Sequence, residues 1–297
     1  MKIAFWSIAN EKCNVSANLA AISVASVNRY PYSVVVLENR LNNLNLGKAY
    51  MGNTSVSLLN EVGTNYYDGG GIEGLLRKIH RGAICAEVLK LHLREIIHDH
   101  LYYIPQSRVI HSELFDYEFN HCIQTLFRLI EENSDICFID TASSNNLSTK
   151  TILDESDLIV VNLCQDQKVL DEFFQNYSSL IPKSVFIISN YDTRAFLRRK
   201  RIAQIYEIAT EDIIIIPKNI SYQLAYSAGS VVEFISSNYS CLRETPDFLF
   251  LNSIKKASYI ILKKAANLIK QKELSLYSGF FIKLSVLYSI SDYWVIA

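Results

Sequence analysis

A chain of 297 residues with 49% hydrophobic and 20% charged side chains can bury a sizeable core; this excludes a disordered polypeptide and fits one large α/β domain or two small ones. A formal net charge of −1 excludes a global electrostatic drive toward nucleic acid or an anionic membrane. Six scattered cysteines without a Cys-x-x-Cys pair read as reduced thiols of a cytoplasmic protein.

The first twenty residues read as strand, loop and helix. Ile3–Trp6 is a short apolar run, Ser7–Asn14 a polar loop, and Val15–Val27 an Ala-rich helical stretch. Lys2 precedes only four apolar residues, so no secretory signal is read there. A loop in this position suits a phosphate, because helix N-termini offer free N–H groups to anions. Its chemistry does not. No glycine lies between Ser7 and Ser16, and no lysine closes the loop.

Val34–Glu38 reads as a second strand. Residues 39–71 read as a long glycine-containing loop with a short helix around Ser55–Glu61. Helical spacing follows over Ile72–His80 and over Ala83–Asp99, then a strand at Leu101–Pro105 and a helix at Leu114–Glu132. Strands are expected at Asp135–Thr141, Asp157–Leu163, Ser184–Asn190 and Ile213–Pro217. Helices are expected over Phe173–Leu180, Arg198–Ile208 and Phe248–Lys272. Continuous apolar strands alternating with helices predict a doubly wound α/β fold: a mostly parallel sheet with helices on both faces, in three α/β/α layers. Residues 1–240 are expected to form the main domain, with the helix and apolar tail of 241–297 packed on it. The tail itself, Leu274–Ala297, is apolar and aromatic; it reads as a terminal element on the core, as an interfacial segment or as a partly disordered end.

Ligands of such sheets bind beyond the carboxyl ends of the strands. That directs attention to Ser7–Ser16, Glu38, Asp140, Asn162, Asn190 and Pro217. Each also has a plain structural role open to it, as a cap or strand terminator. Arg194 and Arg198–Arg201 form the densest basic cluster, with Glu207, Glu211 and Asp212 nearby; a solvated helix face and an anion-binding patch are both compatible with it. His98-Asp-His100 lacks a third ligand at metal spacing, so no zinc site is read.

The string Trp6–Ala21 resembles the start of the ParA/MinD-type ATPases, the deviant-Walker-A branch of the P-loop proteins. Asn18-Leu-Ala-Ala21 matches the opening of their first helix. Working back, Ser16 falls at the magnesium-binding threonine and Val15 at the P-loop lysine. Asn14, Lys12 and Glu11 fall at glycines, and Asn10 at the extra lysine that reaches across the dimer. Further along, Ile136–Ala142 resembles the Walker B strand with Asp140 as its acid, and Ile152–Val161 a segment that follows it. Ile187–Asp192 resembles the strand whose terminal asparagine, here Asn190, reads adenine. Ile215–Asn219 with Ala225–Gly229 resembles the closing pattern that borders the base, with Pro217 in it. Within the superfamily, the residues look most like the TadZ/CpaE-like proteins of Tad (Flp-type) pilus assembly in bacteria.

The resemblance implies a nucleotide site built from Asn10, Glu11, Lys12, Cys13, Asn14, Val15, Ser16, Ala17, Asn190 and Pro217. Ser16 and Asp140 would hold Mg2+ if ATP is bound. Three readings follow. The first is a degenerate ParA/MinD-like localisation or assembly factor for a pilus or secretion machinery, with weak or absent ATP binding. Its expected contacts are machinery proteins, a homodimer and the inner face of the membrane through the 274–297 tail. The second is a divergent ATPase that dimerises with nucleotide, with Asp140 as its catalytic candidate. The third is a DNA-partitioning protein using the Arg194–Arg201 cluster. Val15 and Glu11 favour the first, because they remove a phosphate counter-charge and add a repelling one; the near-neutral chain argues against nucleic acid.

Overall fold

The computed structural model describes residues 1–9, 12–39, 46–52, 71–106, 112–143 and 145–291. β1 (Lys2–Trp6) leads through a loop into α1 (Val15–Arg29), then β2 (Val34–Glu38) and the helical residues 46–52, α2. Next come α3 (Ile72–His80), α4 (Ala86–His92), β3 (Arg94–Ile97), β4 (Leu101–Tyr103) and α5 (Ser112–Glu131). β5 (Ile136–Asp140), α6 (Leu147–Glu155), β6 (Leu158–Leu163), α7 (Gln167–Asn176) and β7 (Ser184–Tyr191) continue the alternation. α8 (Arg199–Ile205), β8 (Ile213–Pro217), α9 (Ile220–Ala228), α10 (Val231–Ser237) and α11 (Phe248–Ser291) complete it.

The sheet runs β3-β4-β2-β5-β1-β6-β7-β8, and every pairing is parallel except β3 with β4. β2, β5 and β6 are buried at every position, which is why their sequences read as unbroken Val/Ile/Leu runs. Alternate side chains feed two cores. Ile3, Phe5, Val34, Val36 and Phe138 pack under α1, α9, α10 and α11. Ala4, Trp6, Val35, Leu37 and Ile139 pack under α3, α5, α6, α7 and α8. The expected three-layer, doubly wound arrangement is therefore present. β1 lies at its centre, with β5 on one side and β6 on the other. The chain reverses its winding there, and the crevice beyond the strand ends opens at that point.

Three expectations need correction. The segment 83–99 is not one helix. α4 stops at His92 and the chain turns into the β3–β4 hairpin, held by Asp99 at φ 58°. Glu95 Oε1 accepts from the Asp99 N–H at 2.9 Å and lies 3.0 Å from His98 Nδ1, so these polar groups fix a turn inside an apolar pattern. The region 39–71 is not all loop, since 46–52 are helical; the helix expected at Ser55–Glu61 lies outside the described residues. The stretch expected as helix over Phe173–Leu180 ends at Asn176, and a 3-10 segment (Ser178–Lys183) carries Pro182 into β7.

α11 runs well past Lys272. Its first half packs on α1 and β8 through Phe250, Leu251, Ile254, Ala257, Ile261 and Ala265. Ser26 on α1 and Ser258 on α11 meet through their hydroxyls at 2.9 Å, a close approach that small residues permit. From Lys270 to Leu274 every residue is exposed. Among the described residues no helix is long and apolar enough to cross a membrane.

Candidate functional site

The loop between β1 and α1 is tied down by side chains rather than opened by glycines. Asn14 precedes α1 in the left-handed region (φ 50°, ψ 39°), and no side chain caps the helix. Asn18, one turn into α1, is buried. Its Nδ2 donates to Asn162 Oδ1 at the end of β6 and to Ser189 Oγ near the end of β7, both at 2.8 Å. Ser189 Oγ in turn donates to the carbonyl of Cys13 at 2.7 Å, and Asn162 Nδ2 to the Val160 carbonyl at 3.1 Å. The buried Asn18 Nδ2 finds acceptors here, as it must to avoid a large desolvation cost. The effect is to stitch the loop, α1 and two strand ends into one network.

The residues expected to touch nucleotide divide into groups. Asn10 and Glu11 lie outside the described residues. Lys12 is exposed and pairs with Asp166 at 3.5 Å. Cys13 and Val15 are buried, Val15 among the aliphatic side chains beneath α1. Ser16 is half-buried at the start of the helix. Asn14 and Ala17 face a cleft of about 280 Å³ that also receives Asn190 and Pro217, so four of the expected residues do converge. Asn190 is exposed at the end of β7, with its backbone at φ 51°, where the β7–β8 register slips. The remaining lining comes from Asn18, Ile216, Asn219, Tyr222, Gln223, Tyr226, Ser227 and Phe250.

Ile216, Asn219, Tyr226 and Ser227 fall in the segments expected to border the base and Asn18 in the matched helix opening, whereas Tyr222, Gln223 and Phe250 escaped the sequence reading. Asn18 is a polar residue within an Ala/Leu helix. Asn219 stands where a cap belongs, and its Oδ1 accepts from the Tyr222 N–H at 2.6 Å while its Nδ2 donates to Asp247 at 2.7 Å. Tyr222 stacks on Phe250 with ring centroids 4.7 Å apart, and its hydroxyl donates to the Ala17 carbonyl. Burial pushes the Tyr222 phenol well above its ordinary range, so it stays a neutral donor. The cleft is thus walled by amides, phenols and an apolar floor, and none of its described lining residues carries a charge.

The acids lie elsewhere. Asp140 ends β5 fully buried, in register with Phe5 of β1 and Glu38 of β2. Glu38 holds neighbouring elements together. Its Oε1 accepts from the Leu46 N–H at 3.1 Å, its Oε2 from the Tyr103 hydroxyl, and its carbonyl from Gln106. In the basic cluster, Arg194 pairs bidentately with Asp192, Arg199 donates to the Thr210 carbonyl, and Arg201 lies 3.6 Å over the Phe196 ring. Three of its cations are therefore engaged within the cluster's own neighbourhood.

No family model matches the chain, and no curated protein matches it. Solved structures do. A ParA family ATPase from Chlorobium tepidum TLS is similar with a TM-score of 0.65 and 14% identity, over 87% of this chain and 98% of that one. The Pyrococcus furiosus cell division ATPase MinD gives 0.64 and 13%, over 88% and 98%. The septum site-determining protein MinD from Pyrococcus horikoshii OT3, complexed with Mg-ADP, gives 0.60 and 11%, over 86% and 93%. The chain has the ParA/MinD fold. On this ParA/MinD fold the fit of a nucleotide can be judged from the chain's own residues. The described part of the loop beside the cleft supplies little for a triphosphate, since Val15 is spent in the core and Lys12 on Asp166. Ser16 and Asp140 are the residues that would hold Mg2+.

Proposed function

We propose that this chain is a ParA/MinD-like localisation or assembly factor whose nucleotide site is vestigial. The observation that carries the reading is the uncharged described lining of the cleft, beside a loop whose lysine position, Val15, is buried apolar core. A bound triphosphate needs cationic or glycine-backbone partners to replace its hydration, and the described part of the loop has no glycine and only Lys12, paired with Asp166, as a cation. The Asn18 network further fixes the loop as it stands, so no cost-free rearrangement can wrap a phosphate.

With the cleft silent, function passes to surfaces. The Tad-type pilus or secretion apparatus is the machinery suggested by the resemblance of residues 1–235, and a homodimer and the 274–297 tail are the contacts through which such a scaffold would act. Asp140 with Ser16 keeps open an active Mg2+-dependent ATPase. DNA partitioning is disfavoured, because Arg194, Arg199 and Arg201 are already engaged. Light scattering of the purified protein with and without Mg-ATP tests the reading. An unchanged mass is expected, and a nucleotide-driven doubling of mass rules out the vestigial site. Deletion after Glu273 tests the tail: reduced flotation with anionic vesicles is expected, and unchanged flotation removes the tail's membrane role.

A further inference from the structure

Between Phe248 and Lys272, α11 holds six lysines and no aspartate or glutamate. Lys256, Lys263 and Lys270 recur at every seventh residue. Each step turns them only ~20° about the helix axis, so they stand in one line of about 21 Å. All three are exposed, on the side opposite the buried Ile254, Ala257, Ile261 and Ala265. None has a carboxylate partner among the described residues. Lys264, by contrast, lies on the flank beside β8 and pairs with Asp212 at 2.5 Å.

Aromatic rings stand among these cations. Tyr259 is 42% exposed on the same face. Lys263 Nζ lies 5.7 Å from its ring centroid and the Arg29 guanidinium 5.1 Å. Arg29 ends α1, which carries no acid, and is also 5.3 Å from the Tyr30 ring. Lys255 sits 4.4 Å over Tyr239, just beyond α10. α10 and the loop after it bring in Glu233 and Glu244, with Arg243. The end of α1 and the outer face of α11 thus form one surface of cations and phenols. The net charge of −1 gives the whole chain no pull on anions, but this excess is local and acts within a Debye length of about 10 Å.

Lipid headgroups and nucleic-acid phosphates both attract such a surface, and two features select the lipid. Tyrosines settle at headgroup level, where neighbouring lysines and arginines reach the phosphates. In addition, α11 continues to Ser291 through a sequence, 274–291, whose single charged residue is Lys283. That composition suits the acyl boundary of a bilayer and not a phosphate backbone.

We propose that the outer face of α11 and the end of α1 dock the folded domain on an anionic membrane surface, with Arg29, Lys256, Lys263 and Lys270 meeting headgroup phosphates around Tyr259. Such docking deepens the localisation reading above, on which it rests. It places the dependence on lipid charge in the folded body rather than in the 274–297 tail. Each cation held near the headgroups raises partitioning about fivefold.

Flotation of the full chain tests this, with vesicles of phosphatidylcholine alone and of phosphatidylcholine mixed equally with phosphatidylglycerol, at low and at high potassium chloride. Binding to the mixed vesicles that weakens at high salt, with far less on phosphatidylcholine, is expected. Lys256→Gln/Lys263→Gln/Lys270→Gln should lower that binding about a hundredfold. Arg194→Gln/Arg198→Gln/Lys200→Gln removes the same charge from the other basic cluster and should leave it unchanged. Should the first triple variant fail to fold, Lys263→Gln alone should lose about fivefold. Equal losses from both clusters overturn the proposal, since net charge alone then governs. Salt-independent binding to both vesicle types overturns it and assigns the contact to the apolar tail. Retention of a DNA duplex without flotation overturns it in favour of nucleic acid. None of these failures touches the vestigial-site reading, which stands or falls on the mass measured with Mg-ATP.

Discussion

Gly229→Ala probes how closely the wall of the cleft is built against the rest of the fold. Gly229 ends α9 in the left-handed region at φ 78°, just beyond the lining residues Tyr226 and Ser227. A Cβ there meets Gly52 Cα at 2.1 Å, Gly52 N at 2.3 Å and the Lys48 carbonyl at 2.5 Å. All three atoms are backbone, so α2 and α9 must separate. Gly82 supplies the control: it has φ 83° and nothing within 4 Å of its added Cβ. For Gly82→Ala the left-handed penalty of ~1 kcal/mol is partly offset by the stiffer unfolded chain, leaving ~0.5 kcal/mol. Gly229→Ala adds an overpacking cost of ~2 kcal/mol, for a total of roughly 2.5 kcal/mol. Urea unfolding followed by circular dichroism reads both, as shifts in midpoint at constant slope. Equal midpoints for the two variants would refute the close contact between α2 and α9.

Other perturbations test the loop and the hairpin side. Val15→Lys should cost about 3 kcal/mol by placing an ammonium among aliphatic side chains, and should restore no ATP affinity; a stable, ATP-binding variant contradicts the buried placement of Val15. Asn18→Leu should lose about 2–4 kcal/mol, because Asn162 Oδ1 and Ser189 Oγ lose a shared donor; a near-neutral result in thermal unfolding dissolves the network. His92 is buried with its Nδ1 accepting from the Gly71 N–H at 3.2 Å. Burial, then Lys78, lowers its pKa below the ordinary 6.5, although the Gly71 bond pulls the other way. The unfolded state therefore takes up a proton first as pH falls, so stability should decline below about pH 6.5 and His92→Gln should flatten that decline. An identical pH dependence in the variant removes His92 as its source.

The sheet was legible in the sequence because its strands are buried on both faces and read as continuous apolar runs; all of the runs from Ile3 to Pro217 became strands of one sheet. β3 was not, since Arg94–Ile97 is a short edge strand, exposed or half-buried, whose apolar residues also satisfy a helical spacing. α6 and α9 went unread although Asn146 and Asn219 cap them through the Thr149 and Tyr222 N–H groups. Their signal lay in the caps rather than in a strong apolar period. For the cleft, Asn14, Ala17, Asn190 and Pro217 followed from motif order, whereas Tyr222, Gln223 and Phe250 come together by the tertiary packing of α9 on α11, which no local pattern encodes.

Isothermal calorimetry of the full chain with ATP, in the presence and absence of Mg2+, tests the central claim most directly. The account predicts no saturable heat in either case, because the described lining of the cleft lacks charge and the loop is fixed by Asn18 and Ser189. A Mg2+-dependent isotherm with micromolar affinity, abolished by Asp140→Ala, would contradict it and establish a working ATPase site on this fold.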